Sequence, residues 1–393
     1  MISGTFEAKT WIPIFALRRV SFLLAFSPYL LLYLAVHFGS RSEFKNLWMI
    51  FPFAVIFIVI PLADWFIGLD PANPDSDQED KMNHQFWYTL LPMLVLPVQG
   101  FTLFWAAEIY HSAGLGGFGQ IAWIVSVGVV GSSVGITSAH ELIHRRSRWL
   151  QNAGGLILSS MCYGSFKIEH VRSHHQNVAT PEDASSARKG ISLYRFFPQA
   201  VIRNMVCASS IELKRLNKGG FGFWNLRNEF LIWSCVSFLM AMMMLWFYGV
   251  SGLVFFIAQS FVAVFLLETV NYIEHYGLRR NQRENGTFEP PNPNHSWNYS
   301  SFLTKMILFQ LQRHSDHHQK ASRPYQLIRH LPEAPQLPAS YAAMILLAWL
   351  PPWWFRIMDK RVDQYGSGKR IFQFKQKIDV DHAPMIEVIT ACN

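Results

Sequence analysis

Leu115 to His144 reads LGGFGQIAWIVSVGVVGSSVGITSAHELIH. No charged residue occurs from Leu115 to Ala139, and His140-Glu141-Leu142-Ile143-His144 follows at once. A membrane-spanning helix needs roughly 20 mostly apolar residues. The stretch therefore reads as a span with histidines emerging at its end. Each helical residue turns about 100°, so positions i and i+4 share a face. His140 and His144 stand in that relation and can hold one metal ion without strain.

The surrounding chain has the composition such a span requires. Of 393 residues, 51% are hydrophobic and only 15% charged, against about 25% charged in soluble domains. Six segments qualify as spans, at about 20–39, 48–68, 86–107, 115–139, 228–250 and 252–273. A seventh apolar stretch, Tyr341 to Phe355, is short and holds Pro351 and Pro352. It is expected to lie at the interface or pack against the spans. Arg18-Arg19 is followed by spans and no small-residue cleavage site, so it precedes an ordinary first membrane helix rather than an export signal.

Six spans put both termini on one side. That side carries 32 of the 34 Lys and Arg; only Arg41 and Lys45 lie opposite. The positive-inside rule makes the rich side cytoplasmic. The expected architecture is thus an all-α integral membrane protein of the inner membrane: six spans and a cytoplasmic helical cap from residues 140–227 and 274–393. The net charge of +8 is a membrane-surface and partner signal. No basic helix or aromatic motif of a nucleic-acid binder accompanies it.

Nine of the fifteen histidines fall into four boxes: His140 and His144; His170, His174 and His175; His275; and His314, His317 and His318. His170 with His174 and His314 with His318 repeat the i, i+4 spacing, and His317 shares the face of His314. His175 points further round its helix, so it either reaches a second metal or needs a local bend. His140 and His275 end the fourth and sixth apolar runs, which place them together on the cytoplasmic side. Nine imidazoles suit two metals with open positions, and imidazole alone does not name the metal. Glu141, Glu169, Glu274 and Asp316 sit inside the boxes and Asp183 lies just beyond the second. These carboxylates are the candidates to orient ligating rings through their far N–H. His37, His84, His111, His295, His330 and His382 read as structural or interfacial.

Two other functions compete. His140-Glu141-x-x-His144 also matches the zinc metalloprotease signature, with Glu141 as general base at a single metal; that reading leaves the other boxes unused. A metal transporter would place its site near the bilayer midplane, whereas these histidines lie at the membrane edge. The four cysteines include no C-x-x-C pair, so no iron–sulfur or rubredoxin-type site forms from them. Any electron carrier is then a separate protein.

In these residues the chain resembles the membrane alkane 1-monooxygenases, relatives of the membrane fatty-acid desaturases and xylene monooxygenases. NYIEHYGL (271–278), LQRHSDHH (311–318), VATPEDASS (178–186) and HSWN (295–298) carry the resemblance, which covers roughly residues 45–365. Ser173 stands where that family usually has Gly before the His pair. The resemblance implies that all nine box histidines ligate two irons, with no haem, no bound flavin and no catalytic side chain beyond the metal centre. It implies hydroxylation of the terminal carbon of a linear alkane taken from the membrane. O₂ is the oxidant, and electrons come from rubredoxin through its NAD(P)H-dependent reductase. A desaturase or aromatic side-chain hydroxylase of the same superfamily would share the irons but lose NYIEHYGL.

An alkane offers no polar handle, so its site is expected to be an apolar tunnel between the helices. Ile56, Trp65 and Phe265 are candidate lining residues, with lipid contact or packing as the alternative. Arg145, Arg146, Arg148, Arg188 and Lys189 are candidates for docking an acidic carrier, with headgroup anchoring as the alternative.

Overall fold

The computed structural model describes residues 19–366; expectations about residues 1–18 and 367–393 lie outside the described residues. Helices dominate, and among the described residues β structure is limited to three isolated bridges. The apolar helices before the first histidine box are α1 (Arg19–Gly39), α2 (Phe51–Ile67), α3 (Trp87–Ser112) and α4 (Gly117–Ile143). Next come α5 (Arg148–Ser159), α6 (165–177) and α7 (Leu193–Lys218), then α8 (229–248) and α9 (250–275). The chain closes with α10 (Phe302–Ile307), α11 (His314–Gln319), α12 (Tyr341–Ala348) and α13 (Pro351–Gly366).

Residues Glu229–His275 are helical throughout except at Gly249, where φ is 64° and ψ −158°. Ser237 bonds the carbonyl of Ser159, and Gln259 bonds the carbonyl of Ser160. On one straight rod Ser237 and Gln259 would stand about 33 Å apart. They reach consecutive residues because the chain doubles back at Gly249, midway between them. The backbone angles there are open essentially to glycine alone. The reversal divides the longest apolar helix at Gly249. α1, α3, α4 and the 229–275 run are long and apolar enough to cross a membrane, and α2 is shorter. Leu30, Ile58, Phe101, Phe238, Trp246 and Ile257 are exposed on their outer faces, an apolar surface suited to lipid.

The seventh apolar stretch forms a second hairpin. Tyr341 donates to Glu274 at 2.9 Å, and Trp349 packs its ring 6.1 Å from Phe265. α12 therefore runs antiparallel to α9, alongside its last turns. Pro351 and Pro352 then open α13, where a missing N–H costs nothing. α13 returns with Trp354 against Tyr272 and Tyr276, and Tyr276 donates to Asp359 at 2.6 Å. A Cβ on Gly277 would lie 2.7 Å from Val362, so glycine is required where α13 docks.

Polar contacts tie the α10–α11 region to the end of α2. Buried Asp64 accepts from the backbone N–H of Leu303 at 2.7 Å and of Thr304 at 3.1 Å. Lys305 forms a buried ion pair with Asp70. Arg313 donates to the carbonyls of Asp70 and Ile328 at 2.7 and 3.0 Å. Arg313 precedes His314, so the fourth box is anchored to the base of the bundle.

Candidate metal centre

The nine box imidazoles converge as two adjoining groups. One holds His140, His144, His170, His175 and His317; the other holds His174, His275, His314 and His318. Within each group the ligand atoms all lie within 4.8 Å of one another. The rings of His175 and His318, one from each group, are 4.6 Å apart.

His140 and His144 share a group, as do His314 and His318, in keeping with the i, i+4 spacing; His317, expected on the face of His314, instead joins the His140 group, because the short helix 314–319 lies between the two groups and presents rings to both. The second box behaves differently. His170–His174 is a π-turn in which the N–H of His175 bonds the carbonyl of His170, five residues back. A π-turn holds about one residue more than an α-turn. His175 is thereby carried round to the face of His170, and His174 is left for the other group. This is the local bend that the position of His175 demands. Ser173 sits inside this turn, where its hydroxyl accepts from Asn177 at 3.3 Å.

The donor atoms suit metal ions. His174 Nδ1 lies 2.9 Å from Asp183 Oδ1, and His275 Nδ1 lies 3.1 Å from the carbonyl of His295. Each of these nitrogens donates its proton outward, leaving Nε2 as a bare lone pair facing the group. Nε2 of His140 and of His275 is buried without a hydrogen-bond partner. Nε2–Nε2 separations of 3.0–3.2 Å join His318 to His314 and His174, and His175 to His144, His170 and His317. With a metal–imidazole bond of about 2.1 Å, ligands at right angles stand about 3.0 Å apart and tetrahedral ones about 3.4 Å. The residues present fit metals of coordination number above four.

Burial drives the pKa of His170, His317 and His318 well below the ordinary imidazole value, and neighbouring rings push it further. These rings are neutral, as ligands must be. At His174 burial acts the same way, but the Asp183 carboxylate outweighs it and the pKa is raised. Asp183 is held in turn below its ordinary value: burial raises it and His174 overcomes that. Ser186 and the N–H of Ser185 also bond Asp183, so VATPEDASS builds the acceptor that orients His174.

The carboxylates inside the boxes do other work. Glu141 pairs with Arg145 at 2.6 Å, Glu169 accepts from Asn204 at 3.2 Å, and Asp316 pairs with Arg329 and Arg323. Each is next to a box histidine in sequence, and adjacent helical side chains diverge by about 100°. They accordingly turn away from the rings. Glu274 is distinct, because its Oε2 lies 3.2 Å from His314 Nε2, on the ligand side rather than behind the ring. HSWN supplies contacts that spacing alone did not reveal. The His295 carbonyl receives His275, and Asn298 Oδ1 accepts the N–H of Ser315 at 2.8 Å, clipping the third box to the fourth.

An apolar cavity rises from this centre. Its wall includes His140, His170, His314 and Glu274 at one end, and Phe57, Ile60, Ile136, Leu267 and Ile345 beyond. Ile56 lines it as well. Trp65 does not: it is 75% exposed on the outer face of α2. Phe265 lies outside the wall too, packed against Phe197, Phe261 and Trp349. Both sit on the far side of their helices, a distinction that apolar character alone does not encode. Of the basic residues, Arg146, Arg148 and Arg188 are exposed. Arg145 is turned inward to Glu141, and Lys189 pairs with Asp363.

Residues 117–348 match the family model described as fatty acid desaturase. This defines the class: helical membrane enzymes with metal-binding histidine clusters. Alkane 1-monooxygenase 1 of Pseudomonas aeruginosa is 44% identical over 351 residues, 88% of this chain and 92% of that protein. Alkane 1-monooxygenase 2 of the same organism is 45% identical over 84% of this chain and 88% of its own length. The xylene/toluene monooxygenase hydroxylase component XylM of Pseudomonas putida is 31% identical over 61% of this chain and 62% of its own length. The chain belongs to the alkane 1-monooxygenase family.

Proposed function

We propose that this enzyme hydroxylates the terminal carbon of linear alkanes, using O₂, two iron ions and electrons from reduced rubredoxin. The observation that carries the reading is one juxtaposition: two adjoining imidazole groups exposed to the end of an apolar cavity at His140, His170 and His314. The five-ring and four-ring groups would hold the irons, which when bound would supply the O₂ activation needed to break a C–H bond. The chain supplies the rest. The cavity wall binds the hydrocarbon by apolar contact alone and aims one end at the centre. Burial of the four-ring group keeps water from that side. His174 and His275 are fixed in tautomer by Asp183 and the His295 carbonyl.

The same reading places six spans in the inner membrane with the metal centre on its cytoplasmic face, supported by the Lys and Arg distribution. Rubredoxin, itself reduced by an NAD(P)H-dependent reductase, then meets exposed Arg146, Arg148 and Arg188. A zinc protease is disfavoured because Glu141 faces Arg145 and nine imidazoles form two groups.

The test is product analysis. Membranes given n-alkanes, O₂ and reduced rubredoxin are expected to form 1-alkanols, and the purified protein about two Fe per chain. No terminal alcohol from any chain length would overturn the reading. An unsaturated fatty-acyl product would assign a desaturase instead, and one Zn per chain a protease.

A further inference from the structure

We propose that Glu229 is a positioning residue: by holding Lys167 and Arg172 together it keeps the second histidine box in its π-turn, and so sends His175 to one imidazole group and His174 to the other. This rests on the metal reading above. Lys167 Nζ lies 2.6 Å from Glu229 Oε2, and Arg172 Nη2 lies 3.1 Å from Glu229 Oε1. Arg172 stands five residues after Lys167, as His175 stands five after His170. In a regular α-helix positions so spaced diverge by about 140°. A turn one residue wider brings them towards a common face. The shared carboxylate and the shared imidazole group thus depend on the same widened turn.

Glu229 is a fixed point against which α6 is held. It opens α8, and its N–H donates to Glu212 Oε2 at 2.8 Å. The fully buried Glu212 carboxylate also accepts from Arg172, and from Arg215 at 2.7 Å. One turn into α8, Trp233 packs where a Cβ on Gly155 would lie 2.6 Å from its ring and one on Gly164 would lie 2.5 Å from its Cβ. α8 is thereby seated closely against α5 and the start of α6. Lys167 Nζ lies 4.8 Å from the centre of the Trp233 ring. The first turn of α6 is held from α7 as well: Ser165 donates to Asn204 at 2.7 Å, and Asn204 donates to Glu169 at 3.2 Å. With that turn held, Arg172 reaches Glu229 and Glu212 across the widened one. Lys167 is only 7% exposed, so loss of the carboxylate would leave a buried charge unpaired.

Three substitutions test this. Glu229→Gln removes the charge and keeps the shape, Arg172→Gln removes one of its partners, and Arg172→Lys keeps that partner's charge. The probe is Co(II), titrated against a chelator into the metal-free full-length protein in detergent, with its ligand-field spectrum recorded. Amide exchange of residues 165–177 in the metal-free protein is followed by mass spectrometry. In Glu229→Gln the Co(II) affinity of both imidazole groups is expected to fall about tenfold or more, because each takes a ring from the second box, and the spectrum to change. Exchange across 165–177 should rise while that of α4 and α9 stays at the wild-type rate. Arg172→Gln should show the same changes in weaker form, and Arg172→Lys should return towards wild type. Unchanged Co(II) affinities and exchange in folded Glu229→Gln overturn the inference. So does exchange that rises equally in α4 and α9, the result of a merely structural role. If Glu229→Gln does not fold, an Arg172→Gln variant indistinguishable from wild type overturns it. A wild type that binds fewer than two Co(II) per chain overturns the metal reading instead, while the exchange of 165–177 still decides the role of Glu229.

Discussion

Burial holds rings such as His170, His317 and His318 neutral, and the box imidazoles gather their ring nitrogens into two groups. Asp183 is the clearest orienting group. Replacing it by Asn keeps the shape but weakens the bond to His174 Nδ1. Metal affinity of the four-ring group is expected to fall about 10–100-fold, read by chelator competition, with the five-ring group unaffected. An unchanged affinity of the four-ring group in Asp183→Asn would refute the assignment. The buried rings also predict a pH dependence. In the unfolded chain an imidazole binds its proton near 6.5, whereas His170, His317 and His318 resist protonation when folded. The unfolded state then takes up more protons, so stability of the metal-free protein falls as pH drops below about 6.5. His174, whose pKa is raised, works in the opposite direction and is outnumbered. Denaturation of metal-free protein across this range checks the sign; a stability that climbs toward acid would contradict it.

Among the elements, two irregularities decide more than the regular helices do. The π-turn at His170–His174 sorts three neighbouring residues into two groups. The reversal at Gly249 turns one long helix into two. Nothing lies within 4 Å of a Cβ built on Gly249, so Gly249→Ala carries a backbone cost alone, about 1–3 kcal/mol. Gly100, inside α3, is equally uncrowded but helical. Gly100→Ala is expected to stabilise by about 0.5–1 kcal/mol. Thermal unfolding in detergent should move in opposite directions for the two variants, and a common direction would rule out this account of the reversal.

At the scale of the whole molecule, the proposed reading puts the basic surface and the metal centre on one face. Arg146 and Arg148 follow the first box directly, are exposed, and have no part in the Glu141 pair that engages Arg145. Reversing both to Glu is expected to slow turnover at limiting reduced rubredoxin and to flatten its dependence on salt. The rate at saturating carrier and the preference among alkane chain lengths should be unchanged. Stopped-flow oxidation of the carrier measures the first effect; an unaltered salt profile would move the docking site elsewhere. The same face should react with membrane-impermeant reagents only in inverted vesicles.

The sequence by itself determined the membrane class, the apolar segments and the nine histidines, because hydrophobic length and i, i+4 spacing are local properties. It also carried the family, through stretches such as NYIEHYGL and LQRHSDHH. Only the tertiary structure divided the imidazoles into five and four, since a π-turn at the second box leaves no mark in residue spacing and the split of His317 from His314 and His318 depends on which rings pack beside their helix. It also decided which carboxylates meet them: Asp183 reaches His174 from a loop, while Glu141, Glu169 and Asp316 beside the boxes point elsewhere. Likewise Ile56 faces the cavity and Trp65 faces outward, though both are apolar and lie on one helix. Which face of a helix turns inward depends on what packs against it, and that is settled by distant parts of the chain.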